Sequence, residues 1–259
     1  MLFHVHSRAF LTLPPMLSAI SNFHCRNYMS SPTTSRAVTR SFEGAKRLFG
    51  SPSVPRKIIT KSILDALFSL TLLPNASFIT FRTVWWFFIE FYGLLRFSKI
   101  SNLTFSDISW SNLGLDIFIS KSKTDQSGKG DWVYVASQPD SPSCPVLFTR
   151  KYLSLLPFDS GFIMPSIKHS VPDATLHLLC HTVPLCVIYA TFLRQIGLDP
   201  QGYREHSGRR GGTTAAAAKG ATLNELRLQG RWKSESMTRL YTDNAIKCKR
   251  KFARRLASL

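Results

Sequence analysis

His206-Ser-Gly-Arg209, followed by Gly230-Arg-Trp232 and then Tyr241, gathers an imidazole, a guanidinium, an indole N–H and a phenol into one short stretch of chain. Side chains three apart in a helix lie on one face, so His206 and Arg209 address a single site. A guanidinium stays protonated, and its fork of donors fits two oxygens of a phosphate. A histidine moves protons near neutral pH. Tyrosine is among the side chains that form covalent intermediates once a site activates them. The ordered array carries the reading; a lone His-x-x-Arg does not.

The charge of the chain points the same way. Across 259 residues, 33 Lys and Arg face 15 Asp and Glu, for a net charge of +18. That excess implies a polyanionic partner, most simply nucleic acid. Between Arg227 and Arg255 there are ten Lys or Arg and only two acids, Glu235 and Asp243, so the basic run brackets Tyr241. Five cysteines (Cys25, Cys144, Cys180, Cys186, Cys248) at irregular spacing suit a reducing compartment and argue against a disulfide framework. His177, Cys180, His181 and Cys186 cluster in sequence but lack the spacing of a zinc site, so the thiols read as buried apolar groups and no metal is expected.

Two segments bear on location. The first 42 residues carry Arg8, Arg26, Arg36 and Arg40 and no acid, a presequence-like composition that Pro14-Pro15 interrupts. The aromatic run from Phe78 to Phe97 is broken by Arg82, Glu90 and Arg96. A membrane span needs about 20 mostly uncharged residues, so this run reads as a buried core helix that delivers Arg96.

The expected fold is mainly α with a small antiparallel β-sheet. Residues 1–50 form a helical fragment, 51–57 a Pro/Ser-rich linker, and 58–259 the main domain. Ile58–Leu73 has helical periodicity through Ile63, Leu64, Leu67 and Leu70. Leu115–Ser120 and Trp132–Val135 read as a β-hairpin across a polar loop holding Lys121, Lys123 and Lys129. Helices are expected from Pro145 onward, with Leu185–Ile196 buried. Gly211–Lys219 reads as a further helix, and Thr222-Leu-Asn-Glu225 as a capping box opening the last one before Trp232.

From Lys57 to Lys249 the chain resembles the tyrosine recombinase (phage integrase) family, whose catalytic domain is of the DNA breaking-rejoining type. Tyr92-Gly-Leu-Leu-Arg96 matches the segment bearing that family's first arginine; His206 and Arg209 match its His-x-x-Arg signature. Trp232 falls where the family has His or Trp, and Tyr241 matches the nucleophile. Lys123 is the choice for the hairpin lysine that protonates the leaving 5′-oxygen, with Lys121 and Lys129 as substitutes. The resemblance implies cutting and rejoining of double-stranded DNA through a 3′-phosphotyrosyl bond, by a homo-multimer (a tetramer), with no metal, cofactor, membrane or small-molecule substrate. Arg210, Arg231, Lys233, Arg239, Lys247, Lys249 and Arg250 are the expected DNA-backbone contacts.

The His-Ser-x-Arg-Arg-Gly-Gly and Gly-Arg-Trp-Lys-Ser wording is similar to recombinases of eukaryotic mobile elements, which implies a nuclear location. Residues 16–50 resemble the end of the family's N-terminal core-binding helical domain, read here as a remnant. Two positions depart from the pattern. Lys99 stands where the family carries Glu or Asp to brace the arginines, and Gly208 replaces a bulky apolar residue, which predicts a packing gap. These departures leave two other readings open: a catalytically weak DNA-binding remnant, and a type IB topoisomerase-like nicking-resealing enzyme.

Overall fold

The computed structural model describes residues 10, 12–49, 56–120, 130–168, 171–177 and 185–232. Contacts divide the chain into two units, Met1–Pro55 and Arg56–Leu259. In the first, α1 (Leu13–Arg26) and α2 (Arg36–Phe49) flank a single 3-10 turn at Pro32–Thr34. Pro14 and Pro15 lie in the first turn of α1, where the missing N–H costs nothing, so they start a helix rather than interrupt one. Neither helix buries a residue of its own, and Met16, Phe23 and Leu48 are exposed.

The second unit is built on α4 (Phe78–Tyr92), preceded by α3 (Lys61–Ser69). The expected helix from Ile58 starts later because Thr60 caps it, its hydroxyl accepting the Ile63 N–H at 3.3 Å. Leu64 and Leu67 face the core, and the last turn tightens into a 3-10 segment at Leu70–Leu72. Every residue of α4 from Arg82 to Phe91 is buried, as befits a helix apolar nearly all round. Its rings pack at aromatic distances: Trp85 stacks on Tyr152 at 4.9 Å, and Trp86 meets Tyr189 edge-on at 5.2 Å.

Arg96 is not on this helix. α4 stops at Gly93, Leu94 turns left-handed (φ 49°), and Arg96 is the extended N-cap of α5 (Phe97–Ile100). The sequence reading missed the break because the apolar run continues through Leu94, Leu95 and Phe97, which are buried in the turn as well.

The expected hairpin is present with a third strand. β1 (Ile108–Trp110), β2 (Gly114–Ile119) and β3 (Asp131–Ala136) form an antiparallel sheet in the order β1-β2-β3. Leu115 pairs with Val135 and Ile117 with Val133, and these four are buried while Trp132 and Tyr134 face out, the two-residue period of a half-buried sheet. β1 is three residues long and polar on its outer side, too short to show a period.

After α6 (Pro145–Leu153) the structure departs from the all-helical expectation. β4 (Pro165–Lys168) and β5 (Val171–His177) make a second antiparallel pair. Pro165 and Pro172 and the lack of apolar alternation hide it in the sequence. α7 (Leu185–Gln195) buries Tyr189, Phe192 and Leu193 but leaves Val187 exposed, so it is one-sided rather than buried throughout. Cys186, expected to be a buried thiol, is exposed on α7, because it lies on the open side of that helix next to exposed Val187; Cys25 is exposed as well and Cys144 is buried. Cys180 and His181 lie outside the described residues. No helix among the described residues is long and apolar enough to cross a membrane.

α8 (Ser207–Ala218) and α9 (Leu223–Gly230) complete the unit. The Thr222/Glu225 capping box is formed, with the Glu225 N–H donating to the Thr222 hydroxyl at 3.2 Å. α8 lies against two main-chain segments at once. A Cβ on Gly211 would sit 1.7 Å from the Ile59 carbonyl oxygen, and one on Gly212 1.9 Å from that of Phe91. Only glycine allows so close an approach. The same strip is tied by the Ile59 N–H donating to the Ser207 carbonyl at 3.0 Å and the Ser207 hydroxyl donating to the Lys57 carbonyl at 2.8 Å. Gly211→Ala is therefore expected to cost about 3 kcal/mol or prevent folding, whereas Thr222→Ala costs about 1 kcal/mol. Urea unfolding of both variants checks this, and equal losses would contradict the packing account.

Candidate active site

The N-terminus of α8 carries the His-x-x-Arg pair, and it faces the turn between α4 and α5. Arg209 is fully buried. Its Nη1 donates to the Leu94 carbonyl at 2.6 Å and its Nη2 donates to the Gly230 carbonyl. The guanidinium also lies over the Trp232 ring, 4.4 Å from its centroid. A buried cation needs such partners to offset its lost hydration. Both carbonyls are aimed by left-handed backbone, Leu94 at φ 49° and Arg231, just after Gly230, at φ 52°. Trp232 is buried against Leu94 and Leu226.

His206 is the N-cap of α8 rather than a residue of its first turn. Its imidazole is partly open, and Nε2 lies 3.7 Å from the Glu205 carboxylate. Burial lowers the His206 pKa below its usual value; Glu205 pulls it up, while Arg96, Arg209 and Arg56 push it further down. The imidazole is thereby biased to its neutral, proton-accepting form at neutral pH.

Arg231 joins the same group. Burial lowers the pKa of its guanidinium, with Asp131 opposing and Arg96 adding to the effect. Among the described residues, its buried Nε and Nη1 meet no hydrogen-bond acceptor. Arg96 thus acts on the charge of both His206 and Arg231, and Arg209 and Arg56 act on His206, with Glu205 opposing at His206 and Asp131 at Arg231. Arg210 is half-buried on the next position of α8, its N–H donating to the His206 carbonyl at 3.0 Å.

The structure brings together four of the six residues singled out for catalysis: Arg96, His206, Arg209 and Trp232. Lys123 and Tyr241 lie outside the described residues, as do Lys121, Lys129, Lys233, Arg239, Lys247, Lys249 and Arg250. Sequence reasoning missed the Leu94 and Gly230 carbonyls, which no motif announces, and Arg56, which charges the site from the segment before α3. It also passed over Glu90 as a mere interruption of the aromatic run. A lone acid in that run was the available signal.

No family model matches the chain. It is similar to an integrase/recombinase xerD homolog of Selenomonas ruminantium, 28% identical over 156 residues; the match covers 60% of this chain and 45% of the relative. The chain thus matches less than half the length of that curated relative. Among solved structures, XerH site-specific recombinase bound to palindromic difH substrate superposes with a TM-score of 0.58 at 13% identity, over 97% of this chain and 72% of that one. The Tn1549 transposon integrase in complex with circular intermediate DNA gives 0.57 at 15% identity, over 93% and 86%. XerA recombinase gives 0.55 at 14%, over 95% and 80%. The mostly helical fold with small antiparallel sheets is that of the tyrosine recombinase catalytic domain. In sequence the chain resembles the xerD homolog, and in fold it resembles these solved recombinases.

Two outcomes follow from this geometry. Arg209→Lys keeps the charge but cannot serve two carbonyls with one fork, so it is expected to destabilise the protein by about 1–3 kcal/mol in urea unfolding. An unchanged midpoint would show that the guanidinium is no structural clamp. For His206, an NMR titration is expected to give a midpoint below about 6.5, the unperturbed value. Because the folded value is the lower one, the unfolded chain binds this proton more readily, and the contribution to stability is lost as pH falls through about 6.5 and below. A midpoint above that value would contradict the assigned surroundings.

Proposed function

We propose that this chain cuts and rejoins double-stranded DNA, with Tyr241 as the nucleophile and a 3′-phosphotyrosyl bond as the intermediate. The observation that carries the reading is the convergence of Arg96, His206 and Arg209 on one partly buried place, with Arg231 beside Arg96 and next to the Gly230 carbonyl that Arg209 holds. Cations crowded out of water repel one another and favour an anion among them, and a phosphodiester meets that demand. The Tyr241 oxygen attacks phosphorus in line, its proton passing to neutral His206. The bond to the 5′-oxygen breaks, and Lys123 supplies the proton that leaves a free 5′-hydroxyl. Arg96 and Arg209 hold the charge that builds on the non-bridging oxygens, and Trp232 donates its indole N–H toward them. Rejoining is the same sequence in reverse.

Arg210, Arg231, Lys233, Arg239, Lys247, Lys249 and Arg250 contact the DNA backbone in this reading. The active assembly is a homo-tetramer on DNA, and residues 1–50 belong to a DNA-clamping helical domain. DNA as partner is supported by the XerH and Tn1549 structures, each of which holds DNA. The Tn1549 protein is a transposon integrase, which supports an origin in a mobile element. A nuclear location rests on the likeness to eukaryotic elements and on the basic segment Lys247-Cys-Lys-Arg-Lys251. One observation favours a second reading. Lys99 occupies the position of the family's bracing acid, at the end of α5, and a copy impaired there binds DNA without turning over.

The test is covalent trapping. The protein and Tyr241→Phe are each incubated with nicked duplexes of randomised sequence and denatured in SDS. An adduct from the wild type alone establishes the chemistry, and its trapped DNA identifies the target. Salt-sensitive binding without an adduct selects the remnant, and relaxation of supercoils without strand exchange selects the topoisomerase-like enzyme. In every case binding is expected to weaken steeply with salt, the log–log slope approaching about −0.9 per phosphate contacted.

A further inference from the structure

Glu90 is shut off from solvent in the last turn of α4, amid the buried aromatic residues of that helix. Its carboxyl accepts the O–H of Tyr189, itself buried on α7, and the backbone N–H of Arg209 at the start of α8. The atoms nearest the space over Gly208 belong to this side chain. A Cβ built there would lie 2.8 Å from Glu90 Oε2, 3.0 Å from Cδ and 3.1 Å from Cγ. The packing gap expected at Gly208 is therefore absent: the side chain that residue 208 lacks is replaced by one arriving from the core helix.

We propose that Glu90 is the positioning residue of the active site, holding the first turn of α8, and with it His206 and Arg209, from beneath, and that Gly208 is glycine to admit it. The proposal rests on the recombinase reading for its catalytic consequence and on geometry alone for its structural one. It also bears on Lys99. The carboxyl that meets the second arginine's main chain comes from six residues before Arg96 rather than three after it. Burial raises the Glu90 pKa well above the usual carboxylate range, against the pull of the Tyr189 hydroxyl and of Arg209. Burial thus favours the neutral acid, whose shape and acceptor oxygen glutamine reproduces. Tyr189 responds in kind, burial and the neighbouring Glu90 raising the pKa of its phenol.

Two readouts on four proteins decide the matter: wild type, Glu90→Gln, Glu90→Ala and Gly208→Ala. The first is hydrogen exchange at the Arg209 amide, which needs no substrate. The second is the single-turnover rate of Tyr241 adduct formation at saturating duplex, with duplex affinity measured beside it. Losing one buried acceptor is expected to speed Arg209 exchange about tenfold or more in Glu90→Ala and in Gly208→Ala, whose methyl displaces the carboxyl. Adduct formation is expected to slow by at least about tenfold in both, while affinity stays within about threefold, since a misplaced turn costs rate more than binding. Glu90→Gln should rescue both readouts to within about threefold of wild type.

Wild-type Arg209 exchange in Gly208→Ala or Glu90→Ala overturns the proposal, and so does a Glu90→Gln as impaired as Glu90→Ala. Should Glu90→Ala not fold, Gly208→Ala and Glu90→Gln decide alone. A wild type that forms no adduct defeats the recombinase reading, and Arg209 exchange still judges whether Glu90 holds the turn.

Discussion

The buried guanidinium of Arg209, clamped by the carbonyls of Leu94 and Gly230 and covered by the face of Trp232, is the interaction on which the second unit depends. It joins the end of α4, the start of α8 and the end of α9 in a single set of contacts. Two non-glycine residues, Leu94 and Arg231, take left-handed backbone to aim those carbonyls. Each such turn costs roughly 1–2 kcal/mol, while a hydrogen bond to a charged donor contributes about 1.5–3 kcal/mol. The strain is small beside what it makes possible. A cation that would otherwise be intolerable in the core becomes the fixed point of the site.

The same logic recurs around α4. Arg82 is buried and donates to the Pro165 carbonyl at 2.6 Å, tying the core helix to the second β-pair. Glu90 meets a phenol and a backbone amide. Main-chain carbonyls and neutral donors, rather than opposite charges in direct contact, satisfy these groups. The electrostatic result is local: burial, with Arg96, Arg209 and Arg56 adding to it and Glu205 opposing, holds the His206 imidazole toward its neutral form. Structural burial and chemical readiness have one cause here, since the residues that lock the turn also set the charge of the site.

Much of this was legible in the chain. His206, Arg209 and Trp232 announced themselves by spacing, and the helices of the C-terminal part by glycine punctuation and a capping box that forms as written. The alternation of Leu115, Ile117, Val133 and Val135 located β2 and β3. Other features were hidden for definite reasons. Apolar residues run unbroken across the end of α4, so hydrophobicity could not mark the turn that sets Arg96 apart from the helix. β4 and β5 contain proline and no alternation, and β1 is too short for a period.

What the sequence determined by itself was the chemistry on offer: a guanidinium pair, an imidazole, an indole and a phenol in family order, within a strongly basic chain. Side-chain chemistry is local and needs no fold to be read. Tertiary structure alone decided which of these groups are structural as well as chemical. Arg209 became a clamp because carbonyls 115 and 21 residues away converge on it. Gly208 became a seat for a carboxyl because α4 passes beneath α8. Both depend on contacts between residues far apart in the chain, and burial, which turns an ordinary charge into a constraint, exists only once the chain has closed around it.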